Sequence, residues 1–113
     1  MSNSLKRNIA FLQFLEESKD GNQIQAILKS ATPSQVRAIS EICNHIICGH
    51  CKLDKKSREI LRKKVPVLKK VASTKKTYLN KRKIISQKGG GLLKVVPIIL
   101  KAVLPSILDT LGL

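Results

Sequence analysis

The sequence predicts an all-α protein, with a small helical bundle followed by basic helices and an apolar, amphipathic C-terminal helix. Apolar residues recur at three- to four-residue spacing through most of the 113-residue chain, which is the period of helices buried on one face. Capping residues precede several of these runs, and Gly or Pro ends or divides them. A chain of this length allows one small domain with a modest core.

Residues 1–51 predict a helical scaffold. The apolar spacing over residues 5–15 indicates one helix, and Asp20–Asn22 is expected to end it. A second, short helix is expected over residues 24–31. Residues 32–35 (Thr-Pro-Ser-Gln) combine a cap, a first-turn proline and the Gln of a capping box, so they predict the start of a third helix that Gly49 ends.

Residues 52–88, here termed the basic segment, also show helical spacing. Apolar residues recur at helical spacing from Ile60 to Val71. Asp54 precedes them and is expected to cap the helix. Pro66 is expected to kink or divide this helix. Ser73-Thr74 is expected to cap a further helix that continues through Ile85.

Positive charge is concentrated in the basic segment. The chain has a net charge of +15, of which residues 52–88 contribute 15 basic and 2 acidic side chains, or +13. A solvated helix face normally mixes both signs, so this excess indicates a polyanionic partner.

Double-stranded DNA is the expected polyanion. The chain has two Phe, one Tyr and no Trp, too few aromatic residues for the stacking platforms that bind single-stranded bases. Contacts with the phosphate backbone, indifferent to sequence, are favoured instead. Residues 81–83 (Lys-Arg-Lys) are also compatible with nuclear import. The candidate DNA-binding residues are Lys55, Lys56, Arg58, Arg62, Lys63, Lys64, Lys69, Lys70, Lys75, Lys76, Lys81, Arg82 and Lys83.

One cluster, residues 43–51, contains residue types that bind metals or act as nucleophiles. Structural zinc sites usually join two separated ligand pairs, and the sequence has no second pair. The chain also lacks a phosphate loop, paired carboxylates and a dinucleotide fingerprint, so we expect a non-enzymatic protein with no catalytic residues, metal or cofactor. The odd number of cysteines favours reduced thiols. Zinc binding stays open as an alternative for Cys43, His45, Cys48, His50 and Cys51.

Residues 89–113 comprise three glycines, which predict a flexible connection and are here termed the glycine joint, and an apolar tail of 22 residues. On a helical wheel the two lysines and two prolines of the tail share an arc of about 120°. A membrane-spanning helix is disfavoured because a charge at the bilayer centre costs about 2.5–3.5 kcal/mol. Interfacial membrane binding and packing onto the helical scaffold, or between copies, both stay open. The candidate membrane-contacting residues are Leu93, Val96, Leu100, Val103, Ile107 and Leu111.

The order of basic segment, glycine joint and proline-containing apolar tail resembles the adenovirus core peptide mu precursors, small basic proteins that condense the viral genome. Residues 87–91 (Gln-Lys-Gly-Gly-Gly) are similar to the pattern cleaved by the adenoviral cysteine protease. The resemblance covers residues 55–113 and implies a scissile bond between Gly90 and Gly91. The processing residues that it implies are Gln87, Gly89, Gly90 and Gly91.

Along nearly its whole length the chain also resembles short basic proteins of Polinton/Maverick elements and adintoviruses. The matching stretches are residues 23–28 (Gln-Ile-Gln-Ala-Ile-Leu), 31–35, 71–76 and 87–90. Together the two resemblances imply a core protein of the virion and host nucleus, with double-stranded DNA, a viral protease and capsid proteins as partners. Self-association is compatible with this role. The alternatives are a membrane-active protein that meets anionic lipid during virus entry and a helical capsid adaptor.

Overall fold

The structure is a computed structural model that describes residues 3–49, 52–87, 91–110 and 112. The all-α prediction is confirmed, since the described residues form eight helices and no strand. Predictions that concern His50, Cys51, Lys88, Gly89, Gly90 and Leu111 lie outside the described residues. The helices are α1 (Asn3–Arg7), α2 (Ile9–Glu17), α3 (Gly21–Lys29), α4 (Pro33–Ile47), α5 (Lys55–Arg62), α6 (Val65–Ala72), α7 (Tyr78–Ser86) and α8 (Val96–Thr110).

The predicted helix caps of α4 and α5 are confirmed. The Thr32 hydroxyl accepts a hydrogen bond from the Gln35 backbone N–H at 3.2 Å, and the Gln35 side chain accepts one from the Thr32 N–H at 2.9 Å. Asp54 accepts from the Ser57 N–H at 3.0 Å, and hydrogen bonding from Ser57 lowers the pKa of the Asp54 carboxyl. Gly49 follows α4 with a φ of 73°, the left-handed conformation in which glycine is favoured.

The breaks predicted at Asp20–Asn22 and at Pro66 separate helices as expected. Asp20 itself caps α3, because its carboxylate accepts from the Asn22 N–H at 2.9 Å. Pro66 lies in the first turn of α6, where its missing N–H leaves no helical hydrogen bond unmade.

The first apolar run forms two helices, α1 and α2, instead of the single predicted helix. The division occurs at Asn8, whose side-chain amide donates to the Ser4 carbonyl at 2.7 Å and to the Ser34 hydroxyl at 3.0 Å. The second bond fixes the N-terminal helices to the start of α4. Because it joins residues far apart in sequence, local periodicity does not reveal it.

The prediction that Ser73-Thr74 caps the last helix of the basic segment is wrong. Thr77 caps α7, and its hydroxyl accepts from the Asn80 N–H at 3.2 Å. Ser73 instead ends α6 with extended backbone, and its hydroxyl accepts from the Lys75 N–H at 3.1 Å. The residues between the two helices therefore form a turn.

Helices from the scaffold, the basic segment and the tail build one hydrophobic core. α4 packs against α6 and α1, α2 packs against α8, and α3 packs against α7. Buried side chains from all three parts meet in this core, including Leu12, Ile42, Leu68 and Leu104. The apolar line of the basic segment therefore faces the interior and its cations face outward.

The apolar tail packs onto the scaffold, which is one of the two alternatives that the sequence leaves open. Within the part of the chain that the structure describes, no helix is both long enough and apolar enough to span a membrane. The Cα radius of gyration of 12.7 Å matches the value of about 13 Å expected for a compact domain of this length. The candidate membrane-contacting residues Leu93, Val96, Leu100, Val103 and Ile107 are each at most 5% exposed.

The last residue of the glycine joint, Gly91, is buried. At this residue the joint is therefore not the flexible connection that the sequence predicts. The Leu92 N–H donates to the Ile84 carbonyl at 3.1 Å, which places the start of the tail directly against the end of α7. A Cβ atom at Gly91 would overlap the carbonyl oxygens of Ile84 and Gln87. Gly91 is therefore required for this close approach.

We expect Gly91→Ala to lower the free energy of unfolding by about 1–3 kcal/mol, because the added methyl group overlaps backbone atoms that cannot move independently. Gly21→Ala is the matched control, since a Cβ there meets nothing within 4 Å. The control should be neutral or stabilising by up to about 1 kcal/mol. Urea titrations followed by circular dichroism measure both, and equal stability of the two variants would contradict the buried position of Gly91.

Leu100→Ala should lower the free energy of unfolding by about 2–5 kcal/mol, because it leaves a cavity where a fully buried side chain packs. Lys101→Ala, on the exposed face of the same helix, should change stability by no more than about 0.5 kcal/mol. Thermal and urea unfolding of the pair test whether α8 belongs to the core. Equal, small effects would place the tail outside it.

Candidate nucleic-acid interface

The predicted DNA-binding residues lie on α5, α6, α7 and the connections between them. Their helices are fixed by the buried residues Leu61, Leu68, Val71 and Ile85, so each cation extends from a packed backbone. Nine of the thirteen side chains are exposed, namely Lys55, Lys56, Arg58, Arg62, Lys63, Lys69, Lys70, Lys75 and Lys83. Lys64, Lys76, Lys81 and Arg82 are partly buried.

Lys81 links the basic segment to the core. Its Nζ donates to the Ser40 Oγ at 2.9 Å, and that hydroxyl in turn donates to the Val71 carbonyl at 2.6 Å. Burial lowers the pKa of Lys81, because desolvation disfavours the charged amine. Lys81 therefore holds α7 against α4 and α6 in addition to contributing charge.

Arg82 is held by Tyr78 on the same helix. The guanidinium carbon lies 5.3 Å from the ring centroid, within the range of a cation–π contact. The Arg82 Nη1 also donates to the Tyr78 hydroxyl oxygen at 3.1 Å. This arrangement restricts the Arg82 side chain and engages the ring and the hydroxyl oxygen of Tyr78, the one tyrosine of the chain.

Two arginines and a lysine border an apolar depression of about 450 Å³ between the end of α4 and helices α5 and α6. Arg58 is oriented by a hydrogen bond from its Nη2 to the Leu53 carbonyl at 3.2 Å. Its neighbours at the rim are Arg62 and Lys69, and the floor is formed by Ile46, Ile47, Leu53, Leu61, Val65 and Leu68.

Arg37 of the scaffold is a residue that sequence reasoning missed. It lines a pocket of about 150 Å³ together with Lys76 and Lys81 of the basic segment. Residues 1–51 are almost neutral, so nothing in their composition marks a single arginine as part of a basic surface. Only the packing of α4 against α7 brings it there.

The cysteine and histidine cluster is divided between the core and the surface. Cys43 is fully buried, and this burial raises the pKa of its thiol to about 12, whereas Cys48 is exposed. Among the described residues, no group of three or more His, Cys, Asp or Glu is placed to hold a metal ion. His50 and Cys51, which the zinc alternative also includes, lie outside the described residues.

The residues implied in proteolytic processing are placed in part. Gln87 is exposed and extended at the end of α7, which is a suitable conformation for a protease groove. Gly91 is buried against α7, and Gly89 and Gly90 lie outside the described residues. Cleavage between Gly90 and Gly91 therefore requires the start of the tail to detach from α7.

No protein-family model, no curated protein and no solved structure matches this chain. Its function is therefore inferred from its own sequence, charge distribution and geometry.

Cys43 should resist alkylation by iodoacetamide in the native protein at about pH 8, because a neutral, buried thiol is not the reactive thiolate. Cys48 is the internal control and should react readily. In urea both should react at similar rates. Peptide mapping by mass spectrometry measures each site, and rapid native alkylation of Cys43 would show that it is not buried.

Proposed function

We propose that this protein binds double-stranded DNA without sequence specificity and condenses it as a core protein of a virion. The observation that supports the proposal is the arrangement of the basic segment, which carries a net charge of +13 over residues 52–88 and whose helices have buried apolar faces. Its cations are held on a folded surface facing solvent. One of its two acids, Asp54, caps α5, where its carboxylate accepts from the Ser57 N–H.

The magnitude of the charge suits condensation. Duplex DNA carries one negative charge per about 1.7 Å of its axis, so a stretch as long as this molecule carries about 18 charges. The protein extends 31 × 30 × 29 Å and has a net charge of +15. Each bound copy would therefore neutralise most of the duplex that it covers, which reduces the repulsion between neighbouring duplexes.

The types of cation favour contacts with phosphates over reading of bases. Ten of the thirteen candidate residues are lysines, which act as point charges, and three are arginines, which can form paired hydrogen bonds with guanine. Of those three, Arg82 is engaged with Tyr78 and Arg58 with a backbone carbonyl. We therefore expect affinity that depends on salt and not on sequence.

A membrane-active function has less structural support. Five of the six candidate membrane-contacting side chains are buried between α8 and the rest of the core, so membrane insertion requires the core to open. Processing at the glycine joint belongs to the proposed core function, as the adenoviral resemblance implies. It would cut the covalent link between α7 and the tail.

The full chain should bind two unrelated duplexes with similar affinity at low salt. The logarithm of the affinity should fall linearly with the logarithm of the salt concentration, by about 0.9 for each phosphate contacted. Fluorescence anisotropy over a series of salt concentrations measures the slope.

The triple substitution of Lys56, Lys63 and Lys70 by Gln should reduce this slope, because it removes exposed cations of the basic segment. The matched control replaces Lys6, Lys19 and Lys29, which are equally exposed and lie in the scaffold. The proposal fails if the unmodified protein does not shift duplex DNA at low salt. It also fails if the two triple variants reduce the salt slope by the same amount.

A further inference from the structure

A small pocket lies where the N-terminal half of α4 meets the chain that enters α7. Its volume is about 150 Å³. A drug-sized ligand needs a cavity of about 300–1,000 Å³, so only a compact group fits. The lining residues are Pro33, Val36, Arg37, Lys76, Tyr78 and Lys81.

The pocket is cationic on several sides. Arg37 comes from α4, Lys76 from the turn before α7, and Lys81 from α7 itself, and the described lining includes no carboxylate. Like charges held around one small space repel one another, and an anion between them would relieve that repulsion. The fold therefore forms a site that suits a small anion.

Two hydrogen bonds position this site before any ligand arrives. Lys81 donates to the Ser40 hydroxyl at 2.9 Å, which fixes the direction of its amine. The Tyr78 hydroxyl oxygen accepts from Arg82, and its own hydrogen is able to donate to an anion. Burial also lowers the pKa of Lys81, so a bound anion would stabilise its charged form.

We propose that Arg37, Lys76 and Lys81 form a phosphate-binding site that holds one phosphodiester group of bound DNA. This inference rests on the proposed DNA-binding function. The proposed site differs from the remainder of the basic surface, where each exposed lysine contacts a phosphate independently. Lys75 adjoins the pocket in sequence and is exposed, so the phosphate chain can continue along the basic segment.

Titration with inorganic phosphate tests the pocket directly. Backbone amide shifts in the NMR spectrum should move saturably at the residues that line the pocket, compared with chloride at equal ionic strength. The double variant Arg37→Gln/Lys76→Gln should lose this response, and Lys6→Gln/Lys29→Gln, with the same loss of charge, should keep it. Shifts that are spread evenly over α5 to α7 would overturn the proposal. Shifts that persist unchanged in Arg37→Gln/Lys76→Gln would also overturn it.

Duplex DNA binding tests whether Arg37 and Lys76 share one phosphate. If they do, the fold-loss of affinity in Arg37→Gln/Lys76→Gln should be smaller than the product of the two single losses. Arg37→Gln combined with Lys63→Gln is the reference pair, and its losses should multiply. A multiplicative loss in both pairs would overturn the shared site. Lys81 is left unchanged in every variant because it bonds to Ser40 in the core.

The failure of this inference differs from the failure of the proposed function. If the unmodified protein binds no duplex, the DNA-binding function is wrong and the assignment of the pocket to DNA falls with it. If it binds duplex but the fold-losses of Arg37→Gln and Lys76→Gln multiply in the double variant, only the pocket is wrong. Binding to vesicles that contain phosphatidylserine is the third measurement. If Arg37→Gln/Lys76→Gln loses more vesicle binding than duplex binding, the pocket binds a lipid headgroup and the DNA assignment is overturned.

Discussion

The structure depends on burial of the apolar side of a segment that is otherwise almost entirely cationic. A net charge of +13 in 37 residues opposes compaction, and the helices of this segment are only eight or nine residues long. Helices of this length are marginal alone in water, so they require tertiary partners. α4 supplies a partner for α6 and α7, and α3 supplies a second one for α7. The neutral scaffold is thus the surface on which a basic segment can fold.

Screening limits how far this repulsion reaches. The Debye length is about 8 Å at physiological ionic strength, well below the 29–31 Å extents of the molecule. Repulsion therefore acts mainly between neighbouring cations on the same or adjacent helices. A ligand that binds only the folded state stabilises it by mass action. Under the proposed function, polyanion binding and folding of the basic segment are consequently linked.

Local features of the fold were predictable from the sequence, and contacts between distant residues were not. The caps at Thr32 and Asp54 and the division at Pro66 follow from side-chain chemistry within one helical turn. The choice of Thr77 over Ser73 as the cap of α7 depends on where α6 ends, which tertiary packing decides. The exposed cations of the candidate interface were likewise predictable from charge alone. Arg37 was not, because its role depends on the position of α4 beside α7.

The position of the tail has the widest consequence for function. An apolar, amphipathic helix has the same sequence pattern whether it covers a membrane or a protein core, so periodicity cannot separate the two. The structure places this helix on α2, and Gly91 brings its start against the carbonyl groups at the end of α7. The end of the basic segment and the start of the tail are therefore parts of one packed unit. A protease acting at the joint would cut within that unit and not in an independent linker. Removal of the tail would therefore also change the support of the helices of the basic segment.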